Sequence, residues 1–151
     1  MKSLYFALLT CWAVAAVAEP AAPGSSGVES RAVAVMHDFL AAFNARDEAA
    51  WAQTLHFPHV RVASGSVVVY DSAEDFLAAM DLDAFAETSG WHHSTWDEMR
   101  VIQHSDDKVH ITVTFSRFDA AGELMSTYES LYIVQIVDGR WGVRARSSFA
   151  P

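Results

Sequence analysis

From Ser30 the apolar residues Val33, Met36, Phe39, Leu40 and Phe43 recur at helical spacing and predict an amphipathic first helix. Asn44 to Asp47 breaks the run, and Asp47 can cap a second helix that carries Trp51 and Leu55 and ends at Pro58. Val60 and Val62, then Val67, Val68 and Val69, flank Ser64-Gly65 as a short hairpin. Ser72-Ala73-Glu74-Asp75 opens a third helix with Phe76, Leu77 and Met80 turned inward. Beyond Trp91 alternation takes over. Turns at Ser105-Asp106-Asp107, Ala120-Ala121-Gly122 and Asp138-Gly139 divide the chain up to Phe149 into four antiparallel strands. This order predicts an α+β fold in which a curved antiparallel sheet wraps over three N-terminal helices and leaves a pocket between them.

The turns also set a register, which converts the pattern into neighbours. With Gly122 left-handed, Asp119 faces Glu123, and counting back pairs Arg117 with Met125, Phe115 with Thr127, Val113 with Glu129 and Ile111 with Leu131. A two-residue loop at Asp138-Gly139 sets Glu129 opposite Ser148 and Leu131 opposite Arg146, and the Asp106-Asp107 turn puts Trp96 opposite Arg117. One face then holds Val109, Ile111, Val113, Phe115 and Ile133 with Arg117, Glu129, Arg146 and Trp96 among or beside them. Charges pointing into an apolar face are expensive unless paired, hydrogen-bonded or used. Two readings stand: a structural Arg117 to Glu129 ion pair, or a site in which Arg117 or Arg146 binds an anionic or carbonyl oxygen beside a Trp96 wall. The other face, with Tyr128, Tyr132, Val134, Ile136, Trp141, Val143 and Phe149, is too apolar for water. Its cover is either a second copy, giving a homodimer through the sheet, or a second core wrapped by sheet curvature and the first helix.

Seven histidines show no convincing metal spacing, so no metal ligands are assigned. His59 and His92 stand out because each sits at a strand start near the pocket mouth, where a general base or an orienting donor is useful. The chain has no Gly-x-Ser-x-Gly turn and no phosphate-cradling glycine loop, so no cofactor is expected and acid/base chemistry is the only enzymatic class left.

Lys2, the apolar run that follows it and Ala16-Val17-Ala18 read as a signal peptide over residues 1–18, which predicts a periplasmic or secreted protein. The run is too short for stable membrane association. Residues 19–28, rich in Pro, Gly and Ser, read as a flexible linker, and the domain occupies 29–151. The single cysteine, Cys11, lies in the signal segment, so the processed chain depends on its core rather than on disulfides. A formal net charge of -9 over 151 residues leaves no basic stripe to neutralise phosphates, which excludes nucleic acid as a partner class.

The element order, Phe39-Leu40-Ala41-Ala42-Phe43-Asn44-Ala45-Arg46-Asp47 at the front and Asp138-Gly139-Arg140-Trp141 entering the final strand resemble the nuclear-transport-factor-2-like superfamily, in particular its SnoaL-like branch, over Ser30 to Phe149. The resemblance implies a cone-shaped fold with an interior ligand pocket and, frequently, dimerisation through the sheet. Members include ketosteroid isomerases, polyketide cyclases, dehydratases, epoxide hydrolases and non-catalytic binding domains, so the fold does not select the function. The isomerase pattern of a Tyr and a protonated Asp facing an Asp base is not recognisable here. The expectation is an exported small-ligand-binding or accessory domain. The alternative is a cofactor-free isomerase, dehydratase or hydrolase in which His59 or Glu129 moves a proton while Arg117, Trp96, Arg146 and His92 hold the small molecule.

Overall fold

A computed structural model describes residues 27–151. The signal segment and most of the linker expected from the sequence lie outside the described residues. Helix α1 runs Gly27–Ala45, so the last two positions assigned to the linker are helical. It buries Ala32, Met36, Phe39 and Ala42, a single stripe at helical spacing. Helix α2, Glu48–Gln53, is capped by the Asp47 side chain accepting from the Ala50 amide at 2.8 Å. It ends before Leu55, which opens strand β1, Leu55–Ala63, with Pro58 inside that strand after a cis Phe57-Pro58 bond.

Strand β2, Ser66–Tyr70, returns through Ser64-Gly65, both left-handed, as the hairpin pattern predicts. The expected third helix is two helices, α3, Ala73–Ala79, and α4, Leu82–Ser89. Met80 is extended between them, and Asp81 takes the Ala84 amide at 2.8 Å as a fresh N-cap, which starts a new helix instead of prolonging the old one. The Glu48 carboxylate accepts from the Leu82 amide at 2.8 Å and ties α4 to α2.

Strands β3, His93–His104, β4, Lys108–Phe118, β5, Leu124–Val137, and β6, Arg140–Ser148, complete a six-stranded curved sheet in the order β2-β1-β6-β5-β4-β3. Beside the antiparallel pairs, β1 runs parallel to β6, so the sheet is mixed. Helix α1 lies across the concave face, with the Asn44 amide group exchanging two 2.9 Å hydrogen bonds with the Ser94 backbone and the Trp96 indole donating to the Met36 carbonyl at 3.1 Å.

The register differs from the count made on turns alone, because one-residue bulges interrupt the ladders. Asp119 does face Glu123, but Met125 is then left unpaired and Arg117 meets Ser126, Phe115 meets Tyr128 and Ile111 meets Tyr132. Every β5 side chain from Ser126 onward therefore changes face. Glu129 pairs with Thr114 on the convex side and is exposed, so the expected Arg117 to Glu129 ion pair does not form. Tyr132 and Val134 turn inward and are buried, and Tyr132 packs edge-on against Phe39 at 5.5 Å. With Val143 also in the core, three residues of the apolar surface that motivated a sheet-to-sheet dimer are buried within one chain, while Phe149 of the same set is 81 % exposed. A second bulge at Arg144 restores the phase on β6, so Arg146 faces inward opposite Tyr132. Two more, at Ile102 and Asp97, cancel on β3 and leave Trp96 inward opposite Phe115.

Candidate functional site

Between the helices and the concave sheet face lies a cavity of about 300 Å³. Its walls are aromatic: Phe39 and Phe43 from α1, Trp51 from α2, Tyr70 from β2, Phe76 from α3 and Phe85 from α4. Three arginines enter it, Arg61 from β1, Arg117 from β4 and Arg146 from β6. His59 lines it beside Arg61 on the same face of β1. A small recess continues behind Arg117 and Arg146, bounded by Trp96, Phe115 and Tyr132.

Arg117 and Arg146 are held by ring faces rather than by side-chain carboxylates, and Arg61 donates to the Pro151 carbonyl at 3.4 Å. The Arg117 guanidinium carbon sits 5.2 Å from the Phe85 ring centroid, 5.3 Å from Tyr128 and 5.8 Å from Phe115. Arg146 lies 5.7 Å from Phe115 and 5.6 Å from Tyr132, and donates to Ser148 Oγ at 2.9 Å. Among the described residues the ion pairs are Arg46 with Asp83 and Arg100 with Glu98, beside a 3.1 Å contact of His104 with Glu29, none of them in the cavity. Asp81 also lines the cavity, and its carboxylate caps α4. Arg117 Nε, Arg146 Nε and Trp51 Nε1 are buried with no hydrogen-bond partner among the described residues. Burial, with Arg146 and Arg61 nearby, lowers the pKa of Arg117, and burial raises that of Tyr132. A chain with an acidic total charge thus concentrates cations in one apolar pocket, which focuses a positive field there.

His59 is 4 % exposed, and its Nδ1 lies 3.2 Å from the Val143 carbonyl. Burial pushes its pKa down to about 4, with Arg146, Arg144 and Arg61 acting in the same direction and the Val143 bond against them. It is a neutral ring at pH 7. His56, three residues earlier in β1, differs: Nε2 donates to the Arg140 carbonyl at 3.0 Å and Nδ1 accepts from the Arg140 guanidinium at 2.9 Å. Both its nitrogens are used inside the protein, so its role is structural.

Of the residues singled out from sequence, the cavity and its recess bring together His59, Arg117, Arg146 and Trp96. Glu129 is on the convex face. His92 is exposed, 3.2 Å from His93 between the Nδ1 atoms, and lines neither space. Arg61, Tyr70 and Phe85 were not anticipated. Arg61 was accessible in principle, since it lies two residues after His59 in a strand and so shares its face. Among the described residues no group of three or more His, Cys, Asp or Glu side chains could hold a metal, and no helix is long and apolar enough to cross a membrane.

The family model described as "NTF2-like protein (DUF6841)" matches residues 29–148. The chain belongs to this family. Solved structures agree on the fold. A protein of unknown function with a cystatin-like fold from Nostoc punctiforme superposes with a TM-score of 0.67 at 10 % identity, covering 82 % of this chain and 92 % of that one. An NTF2-like protein with a cystatin-like fold from Novosphingobium aromaticivorans gives 0.65 at 10 % identity, covering 81 % and 80 %. A ketosteroid isomerase-like protein from Erwinia carotovora atroseptica gives 0.57 at 18 % identity, covering 81 % and 96 %. A comparison with curated proteins found no match. In this NTF2-like domain, therefore, the fold is shared widely and does not by itself select the function.

Proposed function

We propose that this NTF2-like domain binds a small organic anion with an aromatic or apolar body. The observation that carries this reading is Arg117 and Arg146 entering an aromatic-walled cavity beside Arg61, which meets the Pro151 carbonyl, with no Asp or Glu side chain paired to any of the three among the described residues. Desolvated cations of this kind destabilise a fold unless a ligand or counter-ion uses them, and bidentate guanidinium contacts suit a carboxylate. The cavity is at the lower end of the roughly 300–1,000 Å³ typical of small-molecule sites, which fits a ligand of one ring better than a steroid. Residues 1–18 support export, so the ligand would be met outside the cytoplasm.

Titrating the protein with benzoate while following tryptophan emission tests the reading, because Trp51 lines the cavity and Trp96 its recess. Saturable quenching that is lost in Arg117→Met with Arg146→Met is expected. Saturable binding that survives the double change, or no binding of benzoate, phenylacetate or cyclohexanecarboxylate at millimolar concentration, overturns it.

Acid/base turnover is the second reading, and one observation favours it: His59 is neutral, and its Nε2 makes no hydrogen bond among the described residues. With Glu129 on the convex face, His59 would be the only proton acceptor of the two expected from sequence. Steady proton exchange at an acidic carbon of a bound acid, absent in His59→Asn, is the measurement that promotes this reading over simple binding.

A further inference from the structure

His56 and His59 lie on the same strand and differ in one respect that bears on ligand choice. Both nitrogens of His56 are occupied by Arg140, whereas His59 uses only Nδ1. The partner of that nitrogen is a backbone carbonyl, which can only accept. Nδ1 therefore carries the proton in the neutral ring, and Nε2 has a lone pair and no proton. The side chain is buried, lines the cavity and lies beside Tyr70 with the ring planes 20° apart and the centroids 6.4 Å apart, so its direction is fixed. The cations around it, Arg61 paired across the ladder with Arg146, oppose a second proton on the ring. What the cavity offers at this point is an obligate hydrogen-bond acceptor in a lining whose other polar groups are largely donors.

Resting on the anion-binding reading above, we infer that the ligand is a hydroxy acid, with a carboxylate for Arg117 and Arg146 and a separate hydroxyl whose hydrogen is donated to His59 Nε2. A ligand lacking that hydrogen leaves a buried acceptor unsatisfied, and one bearing a methyl ether there adds bulk as well. His59 then acts as a specificity residue, and the arginines supply most of the affinity.

The test uses benzoate, the three monohydroxybenzoates and the corresponding methoxybenzoates, titrated against the full-length domain and against His59→Asn. The Asn side chain is short enough to keep a donor near the Val143 carbonyl while withdrawing from the position of Nε2. At least one hydroxybenzoate is expected to bind about tenfold more tightly than benzoate, with the gain absent from its methoxy counterpart and from His59→Asn. If benzoate binds with arginine dependence and no hydroxy isomer binds more tightly, the hydroxy-acid inference is wrong and the anion site stands. A gain that persists in His59→Asn likewise rejects His59 as the reader. If no acid binds at all, both fall. Should His59→Asn prove unfolded by circular dichroism, the hydroxy to methoxy comparison in the unmodified protein still decides.

Discussion

Arg117 and Arg146 address the same ring: their guanidinium carbons lie 5.8 and 5.7 Å from the centroid of Phe115. Two positive charges are thereby held near one another around an aromatic side chain that is itself buried. At an effective dielectric of about 20, two unit charges about 10 Å apart repel by about 1.7 kcal/mol, comparable with what a desolvated cation gains from a ring face. The arrangement is close to balanced without a ligand, and an anion placed between the two charges would tip it.

Arg117→Met should therefore leave the urea midpoint unchanged within about 1 kcal/mol, or raise it, because a poised charge at a binding site is commonly held at the expense of stability. Benzoate affinity should fall more than tenfold. A loss of roughly 3–5 kcal/mol would instead reveal a buried carboxylate partner left behind.

Glu129→Ala serves as the counterpart. Its carboxylate is on the convex face, and the bond that the Phe149 amide makes at 3.1 Å goes to the Glu129 backbone carbonyl, which the substitution keeps. Stability within about 0.5 kcal/mol of the parent and unchanged ligand affinity are expected. Loss of ligand binding on this change would contradict the register.

The contrast between these two residues shows how far the sequence could be read. Alternation, turn residues and caps are local, and they located the hairpins and most of the helices; Asp138 and Gly139 are both left-handed, as a two-residue loop between twisted strands requires. Bulges are set by how a strand must bend over its core, and Met125, Arg144, Asp97 and Ile102 carry no special backbone signature. Arg146 and Trp96 were placed on the correct face because two bulges intervene in each case and cancel. Glu129 was misplaced because only one does. The split of α3 from α4, and with it Phe85 over Arg117, depends on Asp81 recapping the chain at a position where helix propensity alone would continue.

Gly142 is the tightest point near the site. A Cβ there would stand 2.8 Å from His56 Cδ2 and 3.0 Å from Arg140 Nη1. Neither neighbour is free to retreat, since His56 is bound through both nitrogens and Arg140 donates at 2.7 Å to the Gln53 and Leu55 carbonyls. Gly142→Ala should destabilise by about 1–3 kcal/mol in urea titration. A neutral result would mean that the His56 and Arg140 lattice is looser than its geometry.

Export is tested by the intact mass of the protein recovered from outside the cytoplasm. The Ala16-Val17-Ala18 site predicts a chain that begins at Glu19. Retention of Met1, or a lipid on Cys11, would rule out that processing.

His59 makes stability depend on pH with a sign that can be worked out. Its pKa is about 4 in the folded protein against an ordinary value of 6.5, so between those values the unfolded chain binds more protons than the native one. Stability therefore rises with pH across that window. The contribution is fully present above about pH 6.5, declines as the pH falls and is gone below about 4, and a shift of this size corresponds to about 3 kcal/mol. His56, whose pKa burial also lowers, acts in the same direction, so removing His59 should flatten the profile without abolishing the slope. Urea midpoints of the parent and of His59→Asn at pH 7, 6 and 5 are expected to converge as the pH falls, with the variant the less sensitive of the two. Parallel profiles would mean that the imidazole is hydrated in the native state, and with that its fixed Nε2 acceptor would be lost as well.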